Sequence, residues 1–163
     1  MALNRNKKKD IIKKINTIAI KALSVITANP SKIEVNKINI LRKKAKKIHV
    51  KIYIIRNTLL KKSLKKTHFS KLIKILKGPN LIAFSLQHPG SASRLFIKFN
   101  KKNINFKIKN AIYENKILDL KEINDLATLP TYIESILKFT LLLKEISLGK
   151  LLRLLHHIAH KSI

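Results

Sequence analysis

Residues Val50–Lys66 read VKIYIIRNTLLKKSLKK, and this stretch changes from strand to helix within a few residues. Its first part, Val50–Ile55, is a β-branched run that predicts a buried strand. The strand leads through Arg56–Thr58 into a predicted helix over Leu59–Lys66. The second or third residue of that connection is of the right type to cap the helix N-terminus. The stretch therefore predicts an α/β unit in which a basic helix starts where a strand ends.

The same alternation continues on both sides of this stretch. Apolar residues three or four apart predict helices, and short β-branched runs bounded by turn residues predict strands. Predicted helices cover residues 4–22, 35–48, 69–77 and 120–127, with another starting at Pro89. Asp119 and Glu122 have the spacing of a capping box for the helix over residues 120–127. Predicted strands cover residues 23–28, 50–55, 81–86, 106–113 and 116–118, with Glu114-Asn115 as a hairpin turn between the last two. We expect a layered α/β domain over residues 1–128, with a mixed sheet flanked by helices.

Residues 129–163 form a different segment, for which we expect a hinge and a long C-terminal α-helix. Thr131 and Glu134 have the spacing of a capping box, which opens a helix that runs to His160. Of these 30 positions, 14 are Ile, Leu or Phe. Such a helix is about 45 Å long, more than a body of this size covers. We expect another polypeptide to cover it; the alternative is a helix that bends back at Gly149.

Charge is distributed unevenly along the 163 residues, which hold 36 Lys and Arg against 8 Asp and Glu. Residues 1–110 hold 29 basic and 2 acidic side chains, whereas residues 111–163 hold 7 and 6. The first part is therefore predicted to bind a polyanion, and nucleic acid is the first candidate because neutralised phosphates release counterions. An anionic membrane surface is the competing interpretation. Codons rich in A and T explain part of the lysine content without any function.

The composition removes most classes of enzyme. The chain has no Cys, only three Gly and scattered acids, which leaves no thiol nucleophile, Walker loop, dinucleotide fingerprint or carboxylate pair. His156, His157 and His160 share a helical spacing, but no carboxylate or thiol accompanies them, so no metal site is expected. No apolar run reaches the roughly 18 to 20 residues of a membrane span. We expect a soluble cytoplasmic protein with no cofactor, membrane or small-molecule substrate, and no catalytic residue.

The start of the helix after the Val50–Ile55 strand is the best candidate for a phosphate contact. A helix N-terminus offers backbone N–H groups and the positive end of the dipole, and Arg56 adds a bidentate donor. Lys61 and Lys62 continue the charge along the helix. Aromatic residues are sparse, which favours recognition of the shape and backbone of folded RNA over stacking on bases. The alternative is a solvated helix whose lysines only keep the protein soluble.

Several short motifs follow one another along the chain in an order that is specific when taken together. They are Met1–Asn4, Ile55–Leu60, Gly78–Phe84, His88–Gly90, Arg94–Phe96, Leu126–Tyr132 and Gly149–Leu151. In these motifs the chain resembles the bacterial large-subunit ribosomal protein ten family. The resemblance implies an α/β domain that binds large-subunit ribosomal RNA beside ribosomal protein eleven. It also implies a C-terminal helix carrying dimers of the acidic stalk protein seven/twelve, which recruit translation factors and promote their GTPase activity.

The resemblance also implies site residues: the Arg-Asn-Thr element lies at or near the RNA, and Arg42 falls on a second family position. With the basic positions of the first three helices, the expected RNA-binding residues are Lys7, Lys8, Arg42, Lys43, Arg56, Asn57, Thr58, Lys61 and Lys62. The expected stalk-protein-binding residues are Ile136, Phe139, Leu143, Ile146, Leu151, Leu155 and Ile158. Gly149 is a candidate joint between docking segments, and the number of dimers stays open.

Two other functions remain open at this point. The first is a free-standing nucleic-acid-binding protein, nucleoid-like or regulatory, whose C-terminal helix self-associates. The second is a membrane-surface protein that uses the apolar helix together with the lysine-rich faces. Removing the C-terminal helix distinguishes these two functions from that of a stalk base, because only a stalk base would keep RNA binding and lose a stalk partner.

Overall fold

The computed structural model describes residues 4–31, 33–65, 67–103 and 105–161. The chain divides into two compact units, Met1–Leu129 and Pro130–Ile163, called unit 1 and unit 2 below. The predicted helix end at Lys66 lies outside the described residues.

Unit 1 alternates helices and strands in the predicted order. Its helices are α1 (Arg5–Lys21), α2 (Val35–Lys47), α3 (Asn57–Leu64), α4 (Ser91–Lys102) and α5 (Leu120–Thr128), with a 3₁₀ turn over Ser70–Lys74. Its strands are β1 (Ser24–Asn29), β2 (Val50–Ile54), β3 (Leu81–Ser85), β4 (Lys107–Tyr113) and β5 (Lys116–Leu118). The capping box expected at Asp119 and Glu122 is present at the start of α5. Local sequence signals therefore place most element ends to within one or two residues.

The five strands form one sheet in the order β2-β3-β1-β4-β5. β3 pairs antiparallel with both β1 and β2, β4 pairs antiparallel with β1, and β5 pairs antiparallel with β4. The layered α/β class is confirmed, but the pairing within this sheet is antiparallel throughout and not mixed. The reason is that each helical crossover, β1–α2–β2 and β3–α4–β4, joins two parallel strands that are not neighbours in the sheet. An antiparallel strand of the other pair lies between them.

Helices cover both faces of this sheet. Ile26 and Ala83 point to the face covered by α2, α4 and α5, where they pack with Phe96. Their neighbours Val25 and Ile82 point to the other face, toward α1, α3 and the 3₁₀ turn. This is the alternation that a strand imposes on successive side chains. Both faces of the sheet are therefore buried along its central strands β1 and β3, which explains why β3 is an apolar run without polar alternation.

Unit 2 is a helix in three parts: α6 (Tyr132–Lys144), a π-helical turn (Glu145–Gly149) and α7 (Lys150–Lys161). The expected capping box opens it, because Thr131 N donates to Glu134 Oε2 at 2.9 Å and Glu134 N donates to Thr131 Oγ1 at 3.4 Å. The helix does not fold back at Gly149, since the backbone of Glu145 and of Lys150 keeps α-helical angles. No residue of α6 is buried. The long C-terminal helix is confirmed, and unit 2 has no core of its own among its described residues.

Candidate nucleic-acid interface and docking helix

Three loops of unit 1 lie together at one end of the strands. Ile54 pairs with Leu81, and Leu81 pairs with Ala28, so β2 and β1 end beside the start of β3. Asn29 pairs with Lys107, which brings the start of β4 to the same end of the sheet. We call this region the loop edge and define it as residues 56–58, 77–80 and 107–109. The loop edge places the element Arg56–Thr58 beside residues 77–80 and 107–109, which are distant from it in sequence.

The predicted cap of α3 is wrong. The N-cap residue is Arg56 and not Asn57 or Thr58, and the side chain of Arg56 makes no capping hydrogen bond. The carbonyl of Arg56 accepts from Leu59 N at 3.0 Å and from Leu60 N at 3.1 Å, so Asn57 is already inside the first turn. The side chain of Asn57 makes contacts across the fold instead.

Asn57 is hydrogen-bonded to the turn that precedes β3. Its Nδ2 donates to the carbonyl of Gly78 at 2.8 Å, and its Oδ1 accepts from Asn80 Nδ2 at 3.0 Å. Asn80 is 3% exposed, and buried amides are stable only when they are hydrogen-bonded. Asn57 therefore fixes the turn of residues 77–80 against the first turn of α3.

Lys109 of β4 closes the same turn from the other side. Its ammonium donates to the carbonyl of Lys77 at 2.7 Å, to the carbonyl of Pro79 at 3.1 Å and to Asn80 Oδ1 at 2.8 Å. Partial burial lowers the pKa of Lys109 from its ordinary value of 10.5. Gly78 has φ of +67°, which an L side chain rarely adopts, so glycine suits the turn. The loop edge is thus a fixed frame, with the side chains of Arg56, Thr58, Lys77 and Lys107 exposed on it.

Seven of the nine expected RNA-binding residues lie on α1 and α3 or at the start of α3. These two helices share one layer and contact each other, and Asn16 Nδ2 donates to the carbonyl of Ser63 at 3.2 Å. α3 follows β2 through a short connection and therefore begins at the loop edge, and α1 packs beside it in the same layer. This layer carries Lys7, Lys8, Arg56, Thr58, Lys61 and Lys62, all exposed except the half-buried Lys8.

Arg42 and Lys43 lie elsewhere, on α2, which covers the opposite face of the sheet. Arg42 Nη1 donates to Asn39 Oδ1 at 3.3 Å. The Arg42 side chain also lines a groove of about 300 Å³ with Lys46, Lys51 and Tyr53, beside the edge strand β2. The expected residues therefore divide into two basic surfaces, one on each side of the sheet.

Sequence reasoning did not select Lys77, Lys107 or Lys109. Lys77 directly precedes the Gly78-Pro79 turn, and Lys107 and Lys109 lie among the first four residues of the predicted strand 106–113. The pairing of β4 with β1 brings Lys109 to the turn of residues 77–80. The sequence does show that these lysines lie near the starts of strands. That they lie close together in the fold follows only from the pairing of β1 with β4, which the sequence pattern did not predict.

The seven expected docking side chains are all exposed, from 44% for Ile136 to 67% for Ile146. They extend over the three parts of unit 2: Ile136, Phe139 and Leu143 in α6, Ile146 in the π turn, and Leu151, Leu155 and Ile158 in α7. The side chain of Arg153 forms an ion pair with Glu145 across the π turn. Unit 2 thus presents a long apolar surface, and exposed apolar area of this extent marks an interaction site.

Two kinds of site are not found in the part of the chain that the structure describes. No group of three or more His, Cys, Asp or Glu side chains there could hold a metal ion. No single described helix is long and apolar enough to cross a membrane; only the broken pair Leu120–Thr128 and Tyr132–Lys144 satisfies length and composition together.

Comparison with known proteins gives one consistent result. The family model described as ribosomal protein L10 matches residues 3–101. The large ribosomal subunit protein uL10 of Buchnera aphidicola subsp. Cinara cedri is 75% identical over 161 residues, covering 99% of this chain and 100% of the relative. Those of Buchnera aphidicola subsp. Schizaphis graminum and of Blochmanniella pennsylvanica are 52% and 40% identical, covering 99% of this chain and 98% and 99% of the relatives. The chain belongs to the ribosomal protein L10 family.

Proposed function

We propose that this protein is a component of the large ribosomal subunit and forms the base of its stalk. In this proposal unit 1 binds large-subunit ribosomal RNA near ribosomal protein eleven. Unit 2 anchors dimers of the acidic stalk protein, which recruit translation factors and promote their GTPase activity. The chain acts as a structural component and catalyses no reaction. The observation that carries the proposal is the contrast between a cationic folded unit and an apolar helix without a core.

The charge of unit 1 supports RNA binding. No acidic residue occurs between Glu34 and Glu114, a span that includes α2, α3, α4 and most of the sheet. Arg56 and Thr58 stand at a helix N-terminus that a hydrogen-bonded turn holds in place, so their position is set before RNA arrives. Fixed cationic groups favour a folded polyanion, because little side-chain and loop entropy is lost on binding.

The exposure of unit 2 supports a protein partner. Burying one large apolar side chain contributes about 1.5 to 3 kcal/mol to the free energy of folding or association. None of the apolar side chains of α6 is buried. A helical partner can cover them in the manner of a helix laid into a groove. The polar residues of α7 described here include Lys150, Arg153, His156 and His157 and no carboxylate. An acidic partner is therefore favoured.

Truncation after Pro130 tests the division of labour. We expect the truncated chain to bind its ribosomal RNA fragment as the full chain does, with affinity that falls steeply with salt. We also expect it to lose all capture of the acidic stalk protein. Loss of a homodimer together with nucleic-acid binding would instead favour a free-standing nucleic-acid-binding protein, and flotation with anionic vesicles would favour a membrane-surface protein.

A further inference from the structure

The π turn Glu145–Gly149 lies within a seven-residue repeat of exposed side chains, all of which are apolar except Thr140. One row is Ile136, Leu143, Leu151 and Ile158, with steps of 7, 8 and 7 residues. A second row is Ile133, Thr140, Leu148 and Leu155, again with steps of 7, 8 and 7. Two such rows, three or four residues apart, make the seam by which helices pack side by side. In both rows the step of eight spans the π turn.

A step of eight would break this seam in a regular α-helix. Each residue advances about 100° around the axis, so an eight-residue step leaves the second side chain roughly 80° from the first, whereas seven residues leave about 20°. A π turn closes its hydrogen bond one residue later than an α turn and so contains one extra residue. The extra residue of Glu145–Gly149 absorbs the extra step, and the rows before and after it point the same way.

The ion pair on the other side of the helix supports this geometry. Glu145 and Arg153 are also eight residues apart, and Glu145 Oε1 contacts Arg153 Nη2. Gly149 lies between them: a Cβ there would be 3.3 Å from Glu145 Cγ and 3.8 Å from Arg153 Nη2. The side chain of Glu145 therefore passes close over the bare Cα of Gly149 to reach Arg153.

We propose that the π turn, held by Glu145, Gly149 and Arg153, keeps the two apolar rows of α6 and α7 in phase, so that acidic helical partners dock along one continuous face. This inference rests on the proposed stalk function and adds the geometry of its docking site. The seven-residue repeat indicates helices as partners, and an acidic partner is favoured because α7 carries Lys150 and has no Asp or Glu in its sequence. Glu145 does not repel such a partner, because its carboxylate is paired with Arg153. Glu145 and Arg153 act as positioning residues.

Two variants of the full chain change the phase in opposite ways. Deleting Ser147 removes the extra residue, so a regular α-helix then has steps of seven and keeps both rows aligned. Inserting one Ala after Ser147 turns α7 by about 100° relative to α6. With the acidic stalk protein as ligand, we expect the deletion to change the dissociation constant by less than about threefold and the insertion to weaken it at least about tenfold. Circular dichroism checks that both variants keep their helix content.

Equal binding by the insertion variant and the unchanged chain would overturn the proposal, because the two segments would then dock independently. Equal weakening by deletion and insertion would also overturn it. A partner-free measurement separates this claim from the proposed function. The chain has no Cys, so spin labels at Leu143→Cys and Leu151→Cys report the phase directly. The proposal requires the same short label distance with and without Ser147, and a longer one after the insertion. If the unchanged chain bound no stalk protein, the proposed function would fail and these distances would still decide the phase.

Discussion

Asn80 donates its side-chain amide to Asn57 Oδ1 at 3.0 Å, and this bond joins the turn before β3 to the first turn of α3. The two residues are 23 positions apart, and Asn57 also holds the carbonyl of Gly78. The Arg-Asn-Thr element therefore combines two roles. Arg56 and Thr58 are exposed at the loop edge, while Asn57 between them fixes the frame on which they stand.

Replacing Asn57 with Ala is expected to destabilise unit 1 by about 1 to 3 kcal/mol, because the buried amide of Asn80 loses a partner. Urea unfolding followed by circular dichroism measures the effect. The matched control is Thr58→Ala, one residue along and exposed, which is expected to change stability by less than about 0.5 kcal/mol. If Asn57→Ala were as stable as the unchanged chain, Asn57 would have no such structural role.

Charge reversal at Arg56 and Lys62 is expected to weaken binding to the ribosomal RNA fragment. Each lost phosphate contact should also reduce the slope of log K against log salt by about one. Fluorescence anisotropy at several salt concentrations measures both quantities. Lys116→Glu on β5 removes a cation outside the proposed interface and serves as the control. Unchanged affinity and slope in the double variant would exclude these two residues from the interface.

Arg94 is expected to stabilise the end of unit 1. Its Nε donates to the carbonyl of Ala127 at 2.8 Å and its Nη2 to that of Leu129 at 2.5 Å, and the last turn of α5 has no basic residue of its own. Carbonyls at a helix C-terminus need such donors. Arg94→Leu should cost about 1 to 2 kcal/mol and speed hydrogen exchange in α5. The exposed Lys98→Leu on the same helix is the control, and equal exchange in both would contradict this role.

Leu155→Asp is expected to reduce capture of the acidic stalk protein at least about tenfold while leaving the unfolding of unit 1 unchanged. The reason is that Leu155 is 55% exposed and lies on the second apolar row of unit 2. His157→Asp changes charge on the polar side of α7 and is the matched control. Pull-down and a urea titration give the two readouts. A shifted unfolding midpoint in Leu155→Asp would show that this side chain belongs to the core of the protein.

Features that depend on neighbouring residues were predicted well from the sequence. Both capping boxes, at Asp119 and at Thr131, form as expected because each needs only residues three positions apart. The hairpin between β4 and β5 also forms, and Glu114 and Asn115 adopt the positive φ angles that such a turn requires.

Features that depend on distant residues were not predicted. The cap assigned to Asn57 or Thr58 was wrong because the partners of Asn57, Gly78 and Asn80, lie more than 20 residues away. The antiparallel order of the sheet follows from interleaved crossovers, which no local period records. The sequence indicated Gly149 only as a candidate joint, whereas the structure has a π turn over Glu145–Gly149 there. Glu145 is paired with Arg153, eight residues away.

Native mass spectrometry of the full chain with its ribosomal RNA fragment and the acidic stalk protein tests the central claim most directly. We expect a ternary complex in which one copy of this chain holds the RNA and one or more stalk dimers together. Truncation after Pro130 should leave the RNA complex and remove every dimer. A full chain that holds RNA but no stalk dimer, with its apolar helix paired to a second copy of itself, would contradict the account.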